Sequence, residues 1–173
     1  ALTAIGGCLA DAGFTGRNGG TPTACSAGSF KADTGPDSCQ ECPTNTSAGV
    51  IASDNLADCL ADAGYSGYGI NVTACSAGTY KASIGSAAPC LACPNHSSGP
   101  DASPSVSKCR CETGWEGVLQ NALSVCSSIN LCSRNEDDCS SNATCLHTGP
   151  GTHSCGCNAG FWGSGTSCAS CPA

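Results

Sequence analysis

Cysteine is the residue type through which this chain could do chemistry. Eighteen of its 173 residues are Cys, and three pairs stand as Cys-x-x-Cys: Cys39/Cys42, Cys90/Cys93 and Cys168/Cys171. That spacing serves tetrahedral zinc, thiol–disulfide exchange or structural disulfides. A zinc ribbon needs two such pairs converging on one ion in a chain kept reduced, and a redox motif needs a βαβ setting that the sequence does not offer. The other titratable groups form no catalytic constellation. His96, His147 and His153 are scattered, and Asp137-Asp138 lies in a polar stretch between cysteines. No glycine-rich loop opens a helix to cradle a phosphate. An enzyme is not expected.

Composition decides which cysteine chemistry applies. Ala and Cys contribute 24 and 18 residues to the apolar count, whereas Leu, Ile, Val and Phe together number 22. A reduced chain so poor in large side chains, with a net charge of −7, has the composition of a disordered one. Cross-links must therefore replace the core, which excludes Rossmann, barrel-enzyme and helical-bundle folds and places the chain in an oxidising compartment. Four N-glycosylation sequons, at Asn45, Asn71, Asn95 and Asn142, point to secretion through a eukaryotic pathway with N-glycans attached. No apolar run approaches the roughly 20 residues that cross a bilayer. The sequence begins at Ala1 without a secretory apolar region and reads as a mature fragment or part of something longer. Six Lys and Arg against 13 Asp and Glu leave no basic patch, so neither nucleic acid nor membrane insertion is expected.

The segments that carry the cysteines repeat. Cys8-Leu-Ala-Asp-Ala-Gly-Phe14 returns as Cys59-Leu-Ala-Asp-Ala-Gly-Tyr65, and Cys25-Ser-Ala-Gly-Ser-Phe-Lys31 returns as Cys75-Ser-Ala-Gly-Thr-Tyr-Lys81. Cys39-Gln-Glu-Cys42-Pro43 returns as Cys90-Leu-Ala-Cys93-Pro94, and Cys109, Gly114, Trp115 and Gly117 open a third, partial copy. Three blocks in register define a tandem array. Six of the eight aromatics sit at two repeated positions: Phe14, Tyr65, Trp115 and Phe161 each follow a Gly, and Phe30 and Tyr80 each follow Cys-x-x-Gly-x. Each is expected to pack over a disulfide as the module's one apolar anchor. Turn signals such as Asn18-Gly19-Gly20, Gly35-Pro36-Asp37 and Gly149-Pro150-Gly151 recur every few tens of residues. The fold class expected is small disulfide-rich modules: short two-stranded β ribbons and loops in an elongated tandem array, with helix limited to one turn around Ser53 to Cys59.

The pattern Cys-x-x-Gly-[Ser/Thr]-[Phe/Tyr]-Lys, then Cys-x-x-Cys-Pro and a Ser/Gly-rich loop to the next Cys, resembles the ephrin-receptor-like cysteine-rich repeat, itself similar to the repeats of tumour-necrosis-factor receptors. Residues 127 to 168 resemble an EGF-like domain through Cys132-x6-Cys139-x5-Cys145-x9-Cys155-x-Cys157-x10-Cys168. Domains expected on this basis are repeat 1 (1–58), repeat 2 (59–108), a partial EGF-like or linker module (109–126), the EGF-like domain (127–168) and a tail or start of a further repeat (169–173).

The two resemblances imply a disulfide pairing that arithmetic alone leaves open. In the repeats, Cys25 would join Cys39, Cys42 would join Cys59, Cys75 would join Cys90, and Cys93 would join Cys109. Cys111 would close on Cys126. In the EGF-like module Cys132 would pair with Cys145, Cys139 with Cys155, and Cys157 with Cys168. Calcium-binding EGF-like domains open with Asp-x-[Asn/Asp]-Glu-Cys. Here Ser128 and Leu131 replace two oxygen ligands and only Asn130 remains, while His147 departs from the pattern further on, so calcium is not expected and chelators should leave the fold intact. Cys8 and Cys171 are left over. Matching Cys171-Pro172 to Cys42-Pro43 and Cys93-Pro94 implies that Cys171 of one unit bonds Cys8 of the next, a head-to-tail contact that does not close and so builds a filament.

Two functions are consistent with this reading. One is a structural extracellular glycoprotein, secreted or at the cell surface: a rod-like repeat unit of a fibre, matrix or appendage such as a flagellar hair, with itself as principal partner. The other is a ligand-binding receptor or cell-adhesion ectodomain. Few aromatics and three Arg favour the first, because binding hot spots draw on Tyr, Trp and Arg.

Overall fold

Strands in this chain are short because few positions carry the β-branched or aromatic residues that hold a pleated surface, while Gly, Ser and Asn interrupt every run. A computed structural model describes residues 9–16 and 20–172. Among these residues the regular structure consists of seven two-stranded antiparallel sheets and one sheet of four strands. The chain divides into two units, Ala1–Cys93 with Ser98–Cys109, and Pro94–Ser97 with Arg110–Ala173.

In the first unit, Phe14–Thr15 pairs with Thr23–Ala24, and Ser29–Phe30 pairs with Gln40–Glu41. Thr46–Ala48, Cys59–Ala61, Tyr65–Tyr68 and Asn71–Ala74 then form the four-stranded sheet in chain order. Thr79–Tyr80 pairs with Leu91–Ala92 in the manner of Ser29–Phe30 with Gln40–Glu41. In the second unit, Trp115–Glu116 pairs with Ser127–Ser128, and Phe161–Gly163 with Cys168–Ser170. Its longest element is the hairpin of Ala143–Gly149 and Thr152–Cys157, with a bulge between His147 and Gly149. His153, Cys155 and Cys157 alternate inward along this hairpin while Ser154 and Gly156 face water, the period of two that a half-buried strand requires.

The expected turn of helix is a 3₁₀ turn at Leu56–Asp58, started by Asn55, whose side chain accepts from the Ala57 N–H at 2.9 Å. Two more turns lie beyond the sequence expectation. Val106–Lys108 is 3₁₀. Leu131–Arg134 is α-helical, capped by the Asn130 carboxamide on the Ser133 N–H (3.2 Å) and closed by Asn135 at φ 55°. Four residues are too few to show helical periodicity, so only their caps could have announced them.

The interior is cystine, alanine and polar groups. Cys25, Cys59 and Cys75 are within 1% of complete burial, with Ala48 and Ala61, and Phe30 and Tyr80 are buried beside them. Phe14, Tyr65, Trp115 and Phe161 are half-buried. Six polar residues are buried as well, Lys31 and Lys81 among them, and no buried side-chain nitrogen or oxygen among the described residues lacks a partner.

Candidate functional site

Among the described residues sixteen cysteines form eight bonds: Cys25–Cys39, Cys42–Cys59, Cys75–Cys90, Cys93–Cys109, Cys111–Cys126, Cys132–Cys145, Cys139–Cys155 and Cys157–Cys168. Their Cα separations run from 5.4 to 5.9 Å. Loops of this size are each worth about 3 kcal/mol by chain entropy. Cys8 lies outside the described residues. Cys171 is unpaired and exposed.

Between the bridges, a backbone lock recurs. Gly13, Gly64 and Gly114 all hold left-handed φ, at 78°, 85° and 84°. The carbonyl of each accepts from the residue that ends the neighbouring ribbon: Cys25 N–H to Gly13 (2.8 Å), Cys75 N–H to Gly64 (2.8 Å), Ile129 N–H to Gly114 (2.9 Å). A later turn then closes over the glycine. Ala52 N–H donates to Cys25 O, Ala102 N–H to Cys75 O, and Gly151 N–H to Ile129 O, at 2.8, 2.7 and 2.9 Å. A Cβ placed on Gly13, Gly64 or Gly114 would run into the carbonyl of Ala52, Ala102 or Pro150, so only glycine fits. The EGF-like hairpin thus supplies to Gly114 what the repeat turn supplies to Gly13 and Gly64.

The same lock stands beside Cys171. Gly160 has φ 88° and its carbonyl accepts from Cys171 N–H at 2.9 Å. Phe161 lies opposite Ser170 as Phe14 lies opposite Ala24 and Tyr65 opposite Ala74. Cys42 N–H to Gly28 O (2.9 Å) and Cys93 N–H to Gly78 O (2.8 Å) make the same bond at left-handed glycines, so the lock does not separate the register of Cys25 and Cys75 from that of Cys42 and Cys93. Among the described residues nothing lies within 4 Å of a Cβ on Gly160, as at Gly28, whereas Gly13, Gly64 and Gly114 are covered.

Lys31 and Lys81 are the structural residues that sequence reasoning quoted without a role. The Lys81 ammonium donates to the carbonyls of Ala61 (2.8 Å), Asp62 (3.1 Å) and Ser83 (2.9 Å). Lys31 donates to Ala10 (3.4 Å) and Asp11 (3.3 Å). Each also receives the glycine lock, through Gly13 N–H to Lys31 O and Gly64 N–H to Lys81 O, both 2.8 Å. Desolvation lowers the Lys81 pKa below its usual value, and the nearby Asp62 carboxylate opposes that shift. The signal was available: the same place, directly after Phe30 and Tyr80, taken in both copies by one of only six cationic side chains.

The remaining candidates are dispersed. Asn45, Asn71 and Asn95 are exposed and Asn142 is half-buried. Asn45 holds φ 64°, and its counterpart in the next copy is His96 at φ 59° and not Asn95, since Asp62 N–H bonds Asn45 O (3.0 Å) as Glu112 N–H bonds His96 O (2.9 Å). The two sequons are offset by one residue. His96 stacks on Trp115 with centroids 3.5 Å apart and planes 6° from parallel, so this anchor's partner is an imidazole ring where a disulfide was expected. Ser128 lies in a ribbon, Asn130 caps the helical turn that Leu131 begins, and His147 lies opposite His153 in the hairpin. His153 Nε2 pairs with Asp138 at 2.8 Å. Cys139, His153 and Cys155 gather closely, as do Asp137, Cys139 and Cys145, but these sulfurs are joined in disulfides and offer no thiolate.

Cystine ribbons with an interior of bridges and backbone bonds define a chain of extracellular-type, disulfide-rich modules. Residues 14–59 match the family model for tyrosine-protein kinase ephrin type A/B receptor-like domains, and residues 132–168 match the EGF domain. No curated protein matches the chain. An ephrin-receptor-like domain followed by an EGF domain, with eight disulfides, points to an extracellular protein of ectodomain type. Among the described residues no helix is long and apolar enough to cross a membrane.

Proposed function

We propose that the chain is a structural segment of an extracellular glycoprotein, secreted or at the cell surface, that belongs to a fibre, matrix or appendage such as a flagellar hair. It acts without catalysis, calcium, zinc or nucleic acid, and its principal partner is more of the same kind of module. The observation that carries this reading is the cysteine at the end of the last ribbon, beside the lock at Gly160. Cys171 is exposed and unpaired there, and its backbone N–H makes the same bond to a left-handed glycine as those of Cys25, Cys42, Cys75 and Cys93, each of which is disulfide-bonded. Cys171 bonds a cysteine of the next unit, Cys8 by the Cys-x-x-Cys-Pro match, and the array grows head to tail.

Disulfide mapping of the native protein under non-reducing conditions tests this. A peptide joining Cys171 to Cys8 of another unit supports it. A free thiol at Cys171, or a bridge from it within the same unit, overturns it. A receptor or adhesion role is the second reading, favoured by Trp162, which is 61% exposed on the last ribbon and offers the aromatic surface that protein partners use. Electron microscopy of native material separates the two: repeating fibres for the first, discrete particles for the second.

A further inference from the structure

One sequon differs from the others in what surrounds it. Tyr65–Tyr68 and Asn71–Ala74 are joined through Gly69 and Ile70, so Tyr68 and Asn71 face each other as the closing pair of the hairpin. Gly69 takes φ 55° and donates its N–H to Cys59 O at 2.7 Å, which ties the turn to the preceding strand. Leu56, Tyr68, Ile70 and Asn71 line an open pocket of about 210 Å³. Tyr68 is 50% exposed and Ile70 77% exposed, in a chain with few large apolar side chains to spend. Asn45 and Asn95 instead lie in loops after a proline, and Asn142 is half-buried ahead of the long hairpin.

Residues directly opposite on an antiparallel pair hold their Cβ atoms about 4.5–5.5 Å apart. A sugar on the Asn71 amide is therefore within reach of the Tyr68 ring. A pyranose carries an apolar face of axial C–H groups with slight positive charge, and an aromatic ring presents a negative face to receive it. We propose that Asn71 carries an N-linked glycan whose first hexosamine packs its C–H face on Tyr68 and covers the Leu56–Ile70 pocket. The glycan is then a covalent part of the hairpin as well as a coat. In the attachment, the Asn71 amide nitrogen bonds C1 of the sugar and gives up one proton, while the lipid diphosphate of the activated oligosaccharide donor leaves. The inference rests on reading the chain as a secreted glycoprotein.

The test uses the chain made in a eukaryotic secretory host, with Thr73→Ala to remove the sequon at Asn71 and Tyr68→Ser to remove the platform, singly and together. Loss of the glycan should raise the unfolding equilibrium constant about three- to ten-fold when Tyr68 is present, the range of an aromatic packing contact, and should change it little in the Tyr68→Ser background. Equal effects in both backgrounds overturn the proposal. In the unmutated chain, protons of the first sugar should be shifted upfield by the Tyr68 ring current; unshifted protons overturn it without any variant having to fold. If Asn45, Asn95 and Asn142 carry sugar and Asn71 is bare, this inference fails and the glycoprotein reading stands. If all four are bare, both fall.

Discussion

The unit that ends at Cys109 holds all six of the buried polar residues among those described, together with Cys25, Cys59, Cys75, Phe30 and Tyr80. Among its described residues the other unit buries two apolar residues, Leu119 and Cys126, and it relies on a hairpin of seven and six residues held by three disulfides. The first therefore packs backbone against backbone, with a lysine bonding carbonyls that such close packing would leave unpaired. The second covers less and ties more. Both share the glycine lock, which needs no side-chain volume, and a lock of that kind suits a composition dominated by Gly, Ala, Ser and Cys.

The largest effect expected separates a closed lock from an open one. Gly64→Ala puts a methyl group into the Ala102 carbonyl, whereas Gly160→Ala meets nothing among the described residues. Both substitutions carry the left-handed penalty of roughly 1–2 kcal/mol. Only Gly64→Ala adds displacement of buried backbone, for a total on the order of 3 kcal/mol or more. Denaturant unfolding of the two variants with disulfides intact should show this gap. Equal losses would mean that the lock is no more than a conformational preference.

A middle-sized effect distinguishes the two lysines. Lys81→Met strands the carbonyls that now accept from Nζ and should cost about 1–3 kcal/mol. Lys31→Met should cost less, because its two bonds are longer than the three made by Lys81. The Lys81 pKa is lowered in the folded state. Between that lowered value and 10.5 the unfolded chain binds the more protons, so stability rises with pH through this window and its cost is felt in full below it. Unfolding measured at rising alkaline pH, in a Cys171→Ser background that blocks thiol exchange, should show the rise in the parent and lose it in Lys81→Met.

Much of this was legible before any coordinates, and the reason is geometric. A cystine framework writes itself into sequence as fixed spacing, so the ribbons, their shortness and the Gly-aromatic positions at Phe14, Tyr65, Trp115 and Phe161 could be read from repetition. Register could not. Asn45 and Asn95 each follow a Cys-x-x-Cys-Pro, and only the backbone bonds show that one residue of offset makes His96 the counterpart of Asn45. The lysines were visible as letters, but a cation next to an aromatic reads as surface until carbonyl ends are seen converging on it.

The smallest effect tests whether the second unit draws anything from its surface charges. Arg134, on the helical turn, pairs with Glu116 on the Trp115–Glu116 ribbon and lies 4.0 Å from Glu136. The bond to Glu116, then its charge, raises the Arg134 pKa, so the guanidinium stays charged throughout any usable pH range. Both partners are well exposed, at 38% and 42%, where water and salt screen the attraction and ordering two long side chains offsets what remains. Cys132–Cys145 already anchors the same helical turn to the hairpin. Arg134→Ala and Glu116→Gln should therefore leave the unfolding midpoint within experimental error, at low and at high salt alike. A clear loss at low salt that vanishes at high salt would show that the unit with the sparser interior compensates through charge, and the contrast between the two units would have to be redrawn on that term.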